Sequence, residues 1–203
     1  MAIFNMVGGG GFKSLGMKWL NCSTIPYNFY IGSAVVLNDE IHIFGTSAAS
    51  SGGINPRRNH YKWDGSNWTS VSTLPYDFTG GSAVVLNDEI HIFGSIFSDY
   101  SRKHYKWNGS TWTSVSALPY DFAGNTAVVL NNEIHILGTA SSGEYKKHYK
   151  WDGSSWTSVS TLPYDFLFSS AVALNNEIHI LGGDSNASDK TNHYAYVNTY
   201  IKA

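Results

Sequence analysis

Short apolar runs separated by polar pairs recur along the chain in one fixed order. Ser33 to Asn38 (SAVVLN) is an apolar, β-branched run closed by turn residues. Glu40 to Gly45 (EIHIFG) alternates around His42, His60 to Trp63 (HYKW) places Tyr61 and Trp63 on one face, and Trp68 to Ser72 is WTSVS. Side chains alternate sides along a strand, so these four runs predict four strands, a to d. Asn38-Asp39, Asn87-Asp88, Asn131-Asn132 and Asn175-Asn176 join strands a and b. Such residues tolerate the positive φ of a two-residue hairpin. Asp64-Gly65, Asn108-Gly109 and Asp152-Gly153 make the same prediction between strands c and d. No segment sustains a helical period.

The order of strands is itself repeated. Pro75, Pro119 and Pro163 are 44 residues apart, and so are Trp68, Trp112 and Trp156. A period of this size marks one supersecondary unit that buries its core only against its neighbours. Trp19 lies seven positions before Pro26, as Trp68 does before Pro75, so residues 18–25 are an isolated strand d. The last copy has a strand c, His193 to Tyr196, but no WTSVS after it. Residues 18–25 are therefore expected to complete the last unit and close a ring, which removes exposed sheet edges. Two chains sharing a ring of eight units is the alternative.

Four antiparallel strands per unit describe a propeller blade. The pattern resembles the kelch repeat over residues 18–200: an apolar strand, a strand ending in glycine, then an aromatic and a tryptophan seven positions apart (Tyr61 and Trp68, Tyr105 and Trp112, Tyr149 and Trp156). The glycine doublet of that family survives only at Gly182-Gly183. The resemblance implies an all-β, kelch-like β-propeller with four blades of four antiparallel strands per chain, closed by strand 18–25. Residues 1–17, with a tetraglycine at Gly8 to Gly11, are expected to form a flexible arm, and 18–203 the propeller.

Within the chain, the a–b and c–d turns hardly vary, whereas the b–c loops and d–a segments do. All variable stretches fall on one end of such a fold, as in scaffolds that carry binding loops. The candidate ligand-binding residues on that face are Tyr30, Arg57, Arg58, Phe97, Asp99, Tyr100, Arg102, Lys103, Tyr145, Lys146, Phe168, Asp184 and Lys190. The basic pairs that end the b–c loops suit an anionic ligand or pair with Asp77, Asp121 and Asp165 of the PYDF segments. The aromatics suit sugar stacking or a protein hot spot.

Composition narrows the function. The net charge of −2 and 14% charged residues give no electrostatic footprint for nucleic acid. No apolar run approaches membrane-spanning length, and the N-terminus lacks the basic start and apolar core of a signal peptide. A single cysteine, Cys22, excludes an intrachain disulfide. His42, His91, His135 and His179 recur in strand b, and His60, His104, His148 and His193 at the start of strand c. They are expected to pack between blades, bonded to backbone or serine, rather than to ligate a metal. No cofactor is expected. No nucleophile–base pair or paired acids stand out, so the chain reads as non-catalytic.

The start, MAIFNMVGGGG, resembles tail-associated proteins of phages and prophages of Firmicutes. That resemblance implies a receptor-binding or adhesin module in a virion, or in the bacterial cytoplasm before assembly. Its partner would be a bacterial cell-surface glycan or protein, with attachment or self-association through residues 1–17. The alternative is a protein–protein scaffold of kelch type.

Overall fold

The computed structural model describes residues 17, 19, 21–46, 56–97, 99, 101–123, 126–138, 145–166, 169–183 and 191–197. The arm expected over residues 1–17 lies outside them, apart from Met17. The described residues form four antiparallel sheets in chain order. The first holds β1 (Ser33–Leu37), β2 (Glu40–Phe44), β3 (Asn59–Trp63) and β4 (Trp68–Thr73), with a short 3-10 helix, Pro56–Arg58, before β3. The second holds β5 (Ser82–Leu86), β6 (Glu89–Phe93), β7 (His104–Trp107) and β8 (Trp112–Ser114). The third holds β9 (Thr126–Leu130), β10 (Glu133–Leu137), β11 (His148–Trp151) and β12 (Trp156–Ser158). The fourth has three strands, β13 (Ser170–Leu174), β14 (Glu177–Leu181) and β15 (His193–Tyr196).

The turns follow from their residues. Both members of each Asn-Asp or Asn-Asn pair have φ between 51° and 64°, the geometry whose twist matches a right-handed strand pair. After β3, the carboxylate of Asp64 accepts from the backbone N–H groups of Ser66 and Asn67 at 2.8 and 2.7 Å. Asp152 does the same for Ser154 and Ser155. These turns lie at one end of every sheet.

The second and third sheets are buried on both faces by their neighbours in the chain, and the first and fourth on one face. Between the first and second sheets, Leu37 and Phe44 meet Ile90, Ile92 and Trp107, and the linker residues Leu74, Tyr76 and Phe78 fill the space between them. Between the second and third, Val84, Leu86 and Phe93 meet Ile134, Ile136 and Trp151 around Leu118, Tyr120 and Phe122. Leu162, Tyr164 and Phe166 seal the third such core. In the LPYDF linker, Leu, Tyr and Phe therefore turn inward. Phe78, Phe122 and Phe166 are fully buried, each contributing about 2–3 kcal/mol by burial. The tyrosine hydroxyls donate to the carbonyls of Gly94, Gly138 and Gly182 at 3.1, 2.9 and 2.6 Å. The glycine is required there: at Gly94 (φ +59°) a Cβ would sit 1.9 Å from the carbonyl oxygen of Phe122.

The expected ring closure is not seen. Among the described residues, no fourth strand pairs with β15. Trp19, expected to head that strand, is 102% exposed. The segment after it does hold its repeat position against the first sheet. The Trp68 Nε1–H donates to Ser23 Oγ at 3.0 Å, as the Trp112 Nε1–H donates to Ser72 Oγ at 2.9 Å. Tyr27 packs on Tyr61 at 5.6 Å, as Tyr76 packs on Tyr105 at 5.7 Å.

Candidate functional site

Among the described residues, the ends of the b–c loops and the LPYDF linkers share one end of the sheets, where they are hydrogen-bonded to each other. The linker donates from Leu74 N to Arg58 O (2.8 Å) and from Phe78 N to Arg57 O (3.0 Å). Leu118 and Phe122 bond Arg102 and Ser101 in the same way, and Leu162 and Phe166 bond Lys146 and Tyr145. The residues before each strand c thus strap the linker that seals the core.

This placement changes the role of several candidate residues. Arg58 Nε donates to Leu74 O at 2.9 Å, its Nη2 donates to Pro75 O, and Asp77 lies 3.9 Å away. Arg102 Nε donates to Leu118 O at 3.0 Å. Lys146 lies 3.9 Å from Asp165, and Asp121 instead accepts from Ser101 Oγ at 2.8 Å. Arg58, Arg102 and Lys146 therefore point back onto their own linkers. Lys103 and Asp99 are exposed, and Tyr145 is half-buried. Tyr100, Phe168, Asp184 and Lys190 lie outside the described residues.

At the first two sheets the loop face gathers a different set. Buried hydroxyls fix three backbones side by side. Thr46 Oγ1 donates to Asn28 O (2.6 Å) and accepts from Tyr30 N–H (3.2 Å), while Thr79 Oγ1 donates to Thr46 O (2.6 Å). Gly80 N–H donates to Ile31 O at 2.9 Å, and Ile96 N–H to Thr79 O at 2.8 Å. Tyr30, Ile31 and Ile96 are thereby held at the surface, 66%, 46% and 51% exposed. Ile31 and Ile96 flank Gly80, where an added Cβ would lie 3.5 and 2.6 Å from their Cγ2 atoms. Beside them, the Arg57 guanidinium carbon sits 5.0 Å from the centre of the Phe97 ring, a cation–π distance.

Three of the candidate residues, Tyr30, Arg57 and Phe97, thus share this patch. Ile31 and Ile96 complete it and were not among the candidates. A signal for Ile31 was present: it occupies the repeat position of Gly80. Both have left-handed backbone, φ 55° and 60°. A β-branched residue there costs about 1–2 kcal/mol, and strain of this kind collects at binding surfaces.

The histidines form a second cluster type. His42 Nδ1 lies 2.9 Å from His60 Nε2, and His91–His104 and His135–His148 repeat that distance with the same atoms. The expectation that they pack between sheets is met: the His60 ring lies 5.4 Å from Trp107 and 5.6 Å from Trp112. The expected serine partner is also present, Ser72 Oγ at 3.1 Å from His60 Nδ1. Pairing of b and c histidines with each other was not foreseen; it follows from adjacent strands and a shared face. One proton arrangement satisfies the first pair: Ser72 donates to His60 Nδ1, and His60 Nε2–H donates to His42 Nδ1. That leaves His42 Nε2–H facing Glu40 at 4.0 Å. Burial is the main cause that pulls His60, His104 and His148 down to about 3, and His91 and His135 to about 4. These imidazoles are neutral core groups. Among the described residues, no group of three or more His, Cys, Asp or Glu could hold a metal ion, and no helix is long and apolar enough to cross a membrane.

No family model matches the chain, and no curated protein matches it either. Solved structures do. One described as the structure of YjhT has a TM-score of 0.67 at 15% identity, over 85% of this chain and 66% of that one. The fold is β-propeller-like. At that identity the likeness carries fold alone, and the chain spans about two thirds of the YjhT chain that it matches.

Proposed function

We propose that this protein is a non-catalytic recognition module that engages its ligand through the loop face at the first and second sheets. The observation that carries this reading is the exposed patch of Tyr30, Ile31 and Ile96 beside the Arg57–Phe97 stack. Exposed apolar groups carried on backbone that a buried hydroxyl network fixes are presented together, so little backbone entropy is lost on binding. The ligand class is a bacterial cell-surface glycan or protein. A flat aromatic with an adjacent guanidinium suits stacking on sugar rings and hydrogen bonding to their hydroxyls or acidic groups. The resemblance of MAIFNMVGGGG to phage and prophage tail proteins supports a receptor-binding role in a virion. A protein partner is the second reading, favoured by the aliphatic character of Ile31 and Ile96.

The test is binding of the labelled chain to a panel of Gram-positive cells and their extracted wall polymers. Saturable binding that one polymer competes away is expected for glycan recognition. Binding that only protease treatment of the cells abolishes supports the protein reading. Tyr30→Ala with Ile96→Ala should weaken binding at least tenfold, while Ser66→Ala at the opposite turns leaves it unchanged. Equal loss from Ser66→Ala in a folded protein would place the ligand at the wrong end for this proposal.

A further inference from the structure

A pocket of about 250 Å3 opens between the third and fourth sheets, and its lining includes Leu137, His148, Ser160, Tyr194 and Tyr196. The same position is filled in the two preceding interfaces. There the tryptophan of strand d covers the neighbouring sheet. Trp112 stands edge-on to Phe44 and His60 at 6.1 and 5.6 Å, with its Nε1–H on Ser72. Trp156 meets Phe93 and His104 at 6.0 and 5.5 Å. By the 44-residue repeat, Leu137, His148 and Ser160 are the counterparts of Phe44 (or Phe93), His60 and Ser72. The pocket is thus a tryptophan socket with its serine acceptor in place. Apolar cavities of about 150 Å3 already accept benzene, so this one has room for an indole.

Trp19 is the tryptophan that the repeat register assigns to a strand d with no sheet of its own, and it is fully exposed. Ser23, four residues on, is anchored on the first sheet through Trp68. Whatever sheet receives Trp19 must therefore lie against the first sheet, on the face where Val36 and Ile41 are 64% and 41% exposed. The fourth sheet has the complementary face. Val172, Leu174 and Leu181 are 48%, 56% and 40% exposed, where Val84, Leu86 and Phe93 are 8%, 6% and 0% exposed.

These two faces do not cover each other within the chain. Three interfaces built from equivalent residues impose three similar steps, and the terminal faces remain uncovered after them. A head-to-tail surface of this kind is completed by another copy.

We propose that the chain self-associates head to tail. Residues 18–25 of one copy pair with β15 of another, and Trp19 fills the socket formed by Leu137, His148 and Ser160 of that copy. The interface continues the one already repeated three times within the chain, and its occupant is fixed by the residues at its two ends. It is independent of the ligand proposed for the loop face.

Light scattering on the full chain should give a mass of two or more chains. Trp19→Ala should reduce it to one, with an unchanged circular dichroism spectrum. A second measurement fixes the geometry. In the proposed pairing Leu20, the counterpart of Thr69 by the sequence repeat, would stand opposite Ala195, the counterpart of Lys62 and Lys150, since Thr69 pairs with Lys62 and Thr157 with Lys150. Leu20→Cys with Ala195→Cys in a Cys22→Ser background should give chain-to-chain disulfides on a non-reducing gel. A single-chain mass for the unmodified protein overturns the proposal. So does a disulfide formed only within one chain, which would mean closure in a single ring, or the absence of any disulfide.

Discussion

Lowering the pH from 7.5 to 5.0 should remove a large part of this protein's stability, through the histidine pairs alone. His60, His104 and His148 are 0%, 1% and 3% exposed, and burial holds each at about 3. In the unfolded chain they titrate near 6.5. The folded value is the lower one, so below 6.5 the unfolded state binds more protons and stability falls with pH. The effect is absent well above 6.5 and grows until the folded values are reached. At pH 5 each histidine that stays neutral in the fold but protonates when unfolded costs about 2 kcal/mol. Counting one histidine per pair, the three buried pairs together cost about 6 kcal/mol; adding His91 and His135, at about 4, raises this to about 10 kcal/mol. Domains commonly have about 5–15 kcal/mol in total, so acid unfolding should begin above the range where carboxylates protonate. Urea titrations followed by tryptophan fluorescence at pH 7.5 and 5.0 measure the loss. His91→Gln with His104→Gln should shrink it by about one third, since one proton-excluding pair of three is gone. A loss below about 1 kcal/mol would refute the reasoning, as would imidazole NMR signals of the paired histidines that titrate near 6.5 in the folded protein.

Four further outcomes follow from the packing and the backbone. Gly94→Ala should cost more than about 3 kcal/mol in urea unfolding, because its Cβ would meet the Phe122 carbonyl at 1.9 Å. Gly109→Ala, with φ +95° and nothing within 4 Å, should cost only the backbone penalty of about 1–2 kcal/mol. Phe122→Ala should cost about 3–5 kcal/mol, since Phe122 is fully buried between the second and third sheets; a loss under 1 kcal/mol would mean the linker does not seal that core. Ile31→Gly should leave thermal stability unchanged or raise it by up to about 1 kcal/mol, while weakening ligand binding. A clear fall in melting temperature would show that Ile31 is held for packing rather than for recognition.

The strands and turns were legible because each is written several times. EIHI beside Asn-Asp, and HYKW beside Asp-Gly, fix strand identity, register and hairpin type locally, and the structure pairs Ile41 with Trp63 and Ile90 with Trp107 accordingly. The loop face was legible too, because connections at the other end are confined by positive φ. What the sequence could not display was contact between positions far apart in the chain. His42 and His60 look like separate columns until β2 and β3 are paired. Arg58 and Arg102 look like ligand-facing cations until the linker carbonyls of Leu74 and Leu118 are placed beside them.

The exposed patch around Ile31 illustrates how these two kinds of information combine. Most positions that agree between copies are spent on the interfaces: Phe44 and Phe93, Trp112 and Trp156, the histidines and the glycines. A residue that departs from its column is therefore relieved of that duty or serves another one. Ile31 departs from the Gly80 column in the costly direction, accepting left-handed backbone strain while remaining half exposed. Core packing does not account for an exposed side chain, and turn formation is better served by the glycine that the second copy uses. Strain without a structural return is what a surface selected for contact would carry, and it is on Ile31 and the patch around it, rather than on Arg58 or Arg102, that the recognition reading rests.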